Sequence, residues 1–355
     1  MTFTKQILLG LSASIVTSFA LSHAALADGE LNVVGSGGIV GEMNTKYFGD
    51  PFTAETGIKI NRISGEQNLV TQLEAMVGAN SVSWDVMELS GENYPRAVDR
   101  SLLEPIDYSI VDPNNELPGK ARGEFGTVAA SYAHMMAVRT DQMPEGKTMS
   151  SWADFWDVET FPGPRGLRNS ADDNLEFALL ADGVAPEDIY TVLMTPEGID
   201  RAFAKLDEIK PHIDVWWTSG AQSIQTLIEG EVYFTTSYNG RISALMFDGQ
   251  SVSHQWAGGA LHLSYIGVPK GAPNIEAAMK YIRKRAADAE AMRAYAQELP
   301  YPGFAPGLFD GVPPEIASHM PTDEANASVM FVGDPNFWAK HGDPIFDRWE
   351  EWLLE

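Results

Sequence analysis

The chain of 355 residues contains no cysteine. That excludes a disulfide framework, a thiolate metal site and a cysteine nucleophile. Basic residues are scarce, 24 against 49 acidic ones, for a net charge of −25. Such a balance repels phosphate backbones, so no nucleic-acid partner is expected. Beyond the N-terminus no run of about 18 apolar residues occurs, so no membrane span is expected. The seven histidines include no pair four residues apart with a glutamate between them, so no zinc site is expected. G-x-S-x-G and Walker A patterns are missing, and Gly35-Ser36-Gly37-Gly38 fails G-x-G-x-x-G because Val40 takes the last position. Neither a metal nor a cofactor is expected.

What is present describes an exported globular protein. Hydrophobic residues make up 44% of the chain, enough for packed cores, and the length favours about two domains. Lys5, an uncharged apolar stretch and the small-x-small triplet Ala25-Leu26-Ala27 form a secretory signal over residues 1–27. Cleavage would leave a chain starting at Asp28. A bacterial lipoprotein needs a cysteine after its signal, so the expectation is a protein free in the periplasm rather than lipid-anchored.

Strand and helix patterns then alternate. Leu31–Val34 reads as a buried strand running into the Ser36 loop, and Ile58–Ile63 as a second strand. Leu69, Leu73, Met76 and Val77 share a helical face, and Trp84–Leu89 forms a strand ending at Ser90. A second block carries a strand at 165–169, a helix from about 173 to 181, and an amphipathic helix through Ile199, Phe203, Leu206 and Ile209. In it, too, a capping box at Ser219 and Gln222 precedes a strand at 232–236 that runs to Tyr238. Leu261, Leu263 and Tyr265 alternate on a later strand, and one long helix is expected from Ala278 to Ala296. The tail is aromatic, with Phe346, Trp349 and Trp352. Ligands of open α/β sheets sit beyond the C-terminal strand ends, where Ser36, Ser90, Arg168 and Tyr238 fall. Trp216 and Trp217 interrupt a polar junction, where an indole can either stack on an organic ligand or pack in the core. Arg241, just past Tyr238, suits a carboxylate clamp or a surface ion pair.

Several short stretches carry a family resemblance. Pro51-Phe52-Thr53-Ala54-Glu55-Thr56-Gly57-Ile58, Trp84-Asp85-Val86, Leu102-Leu103-Glu104-Pro105-Ile106, Gly230-Glu231-Val232, Tyr238-Asn239-Gly240 and Val268-Pro269-Lys270-Gly271-Ala272-Pro273-Asn274 occur in order. From about Leu31 to Gly307 the chain resembles periplasmic solute-binding proteins of ABC importers, in particular the spermidine/putrescine-binding group. The resemblance implies an α/β fold of two lobes, each a central sheet flanked by helices, with the ligand cleft at a hinge. Residues 28–138 with 258–355 would form one lobe and 139–257 the other. It also implies no catalysis, and delivery of a small-molecule solute, by what is expected to be a monomer, to a cognate permease in the inner membrane.

Polyamine-binding members place an aromatic, then an acid, after Gly-Glu-Val. Here Tyr238 keeps the aromatic while Arg241 replaces the acid, and a second family acid falls on Ser264. A buried arginine beside a diamine costs several kcal/mol in repulsion and desolvation. The expected ligand is therefore a carboxylate-bearing solute, a zwitterion such as 4-aminobutyrate. Arg241, Arg168 and the Ser36–Gly37 amides would face its carboxylate, Asp172 or Asp173 its ammonium, and Trp216 or Trp217 with Tyr238 its methylenes. Capping of the following helix is an alternative use for the two aspartates. A polyamine receptor using Glu66, Glu92 and Asp173 is the competing reading.

Overall fold

The computed structural model describes residues 29–65 and 68–355; the expected signal segment and Glu66 lie outside the described residues. Ten strands occur among them: β1 (Gly29–Gly35), β2 (Ile58–Ser64), β3 (Val86–Leu89), β4 (Leu103–Glu104), β5 (Thr127–Arg139), β6 (Arg165–Arg168), β7 (Ile213–Trp217), β8 (Phe234–Tyr238), β9 (Val252–Pro269) and β10 (Phe331–Val332). The main path runs β2-β1-β3-β9-β5-β8-β6-β7. Each end is a parallel α/β sheet, β1 lying parallel to β2 and β3, and β6 parallel to β7 and β8.

β5 and β9 join the ends as long antiparallel neighbours. β9 passes its C-terminal part to β3, where Tyr265 faces Leu89, and β5 passes its C-terminal part to β8, where His134 faces Tyr238. Their shared ladder slips between His134 and Met136, midway between the two ends. The result is two lobes joined by two crossing strands. β5 escapes a periodicity reading because it is buried on both faces and shows no alternation of apolar and polar residues.

The first lobe is packed on both faces of its sheet, by Leu31, Phe48, Phe52 and Tyr281 in one cluster and Val34, Leu73, Trp84 and Leu89 in another. The second lobe gathers Trp152, Phe155, Phe177, Phe203 and Phe234. Phe331, Phe337, Trp338, Ile345, Trp349 and Trp352 belong to that same cluster. The 258–355 segment expected in the first lobe thus also reaches the second, while its last helix keeps its contact with the first-lobe helix Asn93–Asp99. The C-terminal helix Pro335–Leu354 turns its indoles onto the second lobe because that is where an apolar surface receives them. The single helix expected through Ala296 is likewise two, Ile275–Ala287 and Ala289–Glu298, since Asp288 adopts an extended conformation and caps the second.

A buried carboxyl anchors the C-terminal helix. Glu176 Oε1 accepts hydrogen bonds from Trp338 Nε1 (2.7 Å) and Tyr190 Oη (3.0 Å), and Oε2 has no partner. Burial, then the charge of Asp173, pushes Glu176 up to about 8. A raised carboxyl pKa stabilises the fold at acidic pH, and this contribution is lost as pH rises from the ordinary range through about 8. The expected result is that Glu176→Gln, compared with wild type by urea midpoint, gains at least about 1 kcal/mol between pH 5 and pH 9.

Candidate functional site

A cleft of about 1040 Å³ opens where the C-terminal ends of the parallel strands of both lobes converge. Ser36 follows β1, Ser90 follows β3, Arg168 ends β6, Trp217 ends β7 and Tyr238 ends β8; all five line the cleft together with Arg241 and Ser264. These seven expected residues, scattered over more than two hundred positions, are thus brought to one surface. Ser219 caps the helix Gly220–Glu229 as expected, accepting from the Gln222 amide, while Gln222 Oε1 returns a contact to Thr218 N–H (2.9 Å).

Arg241 sits in the first turn of the helix Asn239–Phe247 and is 2% exposed. Its backbone N–H donates to Tyr301 Oη (3.3 Å). Gly220 lets the guanidinium pass, because a Cβ there would lie 2.6 Å from Arg241 Nε. Asn239 fixes the turn, accepting from Ala133 N–H (2.9 Å) and donating to the Pro300 carbonyl (2.8 Å). Tyr132, Tyr238, Tyr301 and Trp217 form the aromatic wall, with Tyr132 edge-on to Tyr238 at 5.6 Å and to Tyr301 at 6.5 Å.

A second group of charges stands by Ser90. Glu92 accepts from Ser90 Oγ (2.9 Å), which in turn accepts from Asn93 Nδ2 (2.7 Å). Across the cleft, Arg168 Nη1 pairs with Asp172 Oδ2 at 2.6 Å, and Ser170 Oγ also bonds Asp172. Burial, then the negative charge of Asp172, pushes the Glu92 carboxyl upward. Arg168 remains strongly basic: burial opposes its charge, but Asp172 outweighs it.

Three expectations are corrected by this geometry. Trp216 does not face the cleft; its ring lies edge-on between Trp349 (5.5 Å) and Trp352 (5.7 Å), and strand alternation hands the cleft to Trp217. Asp173 does not line the cleft either. It adopts φ 66° and accepts from His134 Nδ1 (2.7 Å) and His262 Nε2 (2.9 Å), tying both crossing strands to the second lobe. Burial disfavours its charge, yet His262 and His134 hold Asp173 far below the usual range, and despite burial Asp173 draws His262 up to about 9. Gly37 is not a wall residue: it is the cap of the helix Gly38–Asn44, close against Ser64.

Sequence reading missed Tyr132, Tyr301 and the Arg62–Glu88 pair. Tyr132 and His134 are polar-tipped side chains at i and i+2 inside a long, mostly apolar strand; Tyr132 lines the cleft, while His134 is buried against Asp173. Arg62 donates to both Glu88 oxygens (3.1 and 3.2 Å) and to the Ser36 carbonyl (3.2 Å), holding the first-lobe loop at the cleft.

A family model described as bacterial extracellular solute-binding protein matches residues 48–322. The chain belongs to this family. Among its relatives is a gamma-aminobutyric acid-binding protein of Pseudomonas aeruginosa, 37% identical over 344 residues that cover 96% of both chains. A spermidine/putrescine-binding periplasmic protein 1 of Haemophilus influenzae is 24% identical over 242 residues, 66% of this chain and 65% of that one. Among solved structures, the Atu4243–GABA receptor superposes with a TM-score of 0.78 at 33% identity, covering 91% of this chain and 97% of the other. As a solute-binding protein of this two-lobed kind, the chain binds a small molecule on behalf of a transporter, and the cleft is the candidate place for it.

Proposed function

We propose that this protein is the periplasmic subunit of an ABC importer that captures an ω-amino acid, 4-aminobutyrate or a close homologue. The carrying observation is the separation of charge along the cleft. Arg241 lines the cleft beside Tyr301, to which its backbone N–H donates, while Glu92, bonded to Ser90, lines it with the Arg168–Asp172 pair. At the Glu92 side, the Glu92 and Asp172 carboxyl groups line the cleft against the single Arg168 cation and offer acceptors to an ammonium. The Arg241 fork receives the carboxylate. The methylenes lie along Tyr132, Tyr238 and Trp217, with Ser36, Ser90 and Ser264 at the cleft walls. Arg168, engaged by Asp172, shapes the ammonium end rather than clamping the carboxylate. The likeness to two GABA-binding relatives supports the same ligand class.

Micromolar affinity requires only about 8 kcal/mol. One bidentate charged pair, an ammonium contact and burial of the methylenes supply that after the cost of closure. The subunit carries its solute without transforming it, acts as a monomer, is freed by cleavage of residues 1–27 and passes solute to an inner-membrane permease. Its lobes would divide near residues 138 and 258, with the C-terminal helix returning to the second. Calorimetry is the direct test: 4-aminobutyrate should bind at micromolar concentration or tighter, and butyrate and putrescine at least tenfold more weakly. Tight putrescine binding without a response to 4-aminobutyrate would overturn the reading in favour of a polyamine receptor.

A further inference from the structure

The C-terminal helix Pro335–Leu354 is fastened to the second lobe along its length. Trp338 bonds Glu176, Trp349 and Trp352 pack on Trp216, and Arg348 pairs with Asp200 at 2.6 Å. Yet the helix also reaches the other side of the cleft. Asp343 meets Arg96 at 2.6 Å and Arg100 at 3.8 Å, both from the first-lobe helix Asn93–Asp99 or its cap, and Arg96 lies over the Phe346 ring at 5.8 Å. Between these attachments the helix forms one rim of the cleft, where Trp349 Nε1 donates to Asn169 beside Arg168 (3.1 Å).

We infer that this helix is a strap: anchored to the second lobe by its indoles and packed against the first-lobe helix Asn93–Asp99, it grips the first lobe through Asp343 and Arg96, and that grip slows the release of bound solute. Opening the hinge moves the Asn93–Asp99 helix away from β6 and must break the ion pair. Arg96 lies one helical turn beyond Glu92, so displacement of the Glu92 segment and rupture of the strap are one motion. The grip is strong enough to matter and weak enough to open. Asp343 is 62% exposed on its side chain, which places the pair among ion pairs of modest strength, made reversible by water. The strap concerns closure, so it holds whatever the solute proves to be.

The test uses the full mature chain and two readouts. Lys59→Cys and Glu197→Cys, exposed positions on opposite lobes of a cysteine-free protein, take a dye pair that reports opening by energy transfer. Asp343→Ala and Arg96→Ala should each shift the solute-free protein toward the open form. In stopped flow, each should speed 4-aminobutyrate release by roughly two- to fivefold, with association nearly unchanged. The effect of the double variant should fall short of the sum of the two single effects, and about 0.5 M salt should bring wild type toward the rate of Asp343→Ala. Additive effects in the double variant, or unchanged transfer efficiency and release in Asp343→Ala, would overturn the strap. If 4-aminobutyrate fails to bind the wild type, the ligand assignment falls, while energy transfer in solute-free protein still decides the strap.

Discussion

Arg241→Ala should lower the affinity for 4-aminobutyrate by between ten- and a hundredfold, the loss expected when a charged hydrogen-bonding partner of a carboxylate is removed. The size follows from burial. At 2% exposure the guanidinium would meet a carboxylate with little competing water, so the charged contact would be worth more than on a surface. Arg241→Lys keeps the charge but not the planar fork, and should fall between wild type and the alanine variant. The thermal midpoint of the solute-free protein should change little in Arg241→Met, which retains most of the stem. Calorimetry and thermal melts on the same samples check both statements, and equal affinity in all four proteins would place Arg241 outside the carboxylate site.

The largest effect on stability is expected from Glu88→Ala. Glu88 and Arg62 form a two-pronged pair with side-chain exposures of only 10% and 12%, and Asn44 Nδ2 donates to the same carboxylate (3.0 Å). Burial alone would raise the Glu88 pKa, but Arg62 outweighs it and holds the carboxyl below its usual range. Gly35 has no side chain where a Cβ would overlap this carboxylate, so the strand end of β1 is built around it. Removing Glu88 strands the Arg62 charge and should cost about 3–5 kcal/mol in urea unfolding. The double variant Glu88→Met with Arg62→Met should recover most of that loss, since two apolar side chains need no compensating charge. No recovery would mean that the pair stabilises by more than mutual neutralisation. The acid limb of stability also follows from Glu88, because its depressed pKa contributes stability that disappears as pH falls through the folded value.

Much of the site was legible because it sits where strand order says it should. Ser36, Ser90, Arg168 and Tyr238 were placed by recognising strand ends, and a strand end is a local signal of a few residues. Arg241 was legible as a departure, a cation where related chains carry an acid. Roles that depend on distant partners were not legible. Asp173 looks like a helix cap or a ligand acid until β5 and β9 bring His134 and His262 to it, 39 and 89 residues away. Trp216 and Trp217 are indistinguishable in sequence; what separates them is the C-terminal helix, whose indoles cover one face of β7 and leave the other to the cleft. β5 was missed because, buried on both faces, it shows no period-two alternation, and its mostly apolar run reads equally as a buried helix.

The two crossing strands also govern when the chain can fold. Leu89 of β3 gains its sheet neighbour only when Tyr265 of β9 arrives, and β5 lies unpaired until β8 and β9 follow it. Loops of that length close slowly, and neither half of the sheet is complete while the C-terminal third is unmade. For a member of an extracellular family such late closure is an asset. A polypeptide that must thread through a membrane as an extended chain is helped by a topology that withholds its native pairings until nearly all of it has emerged.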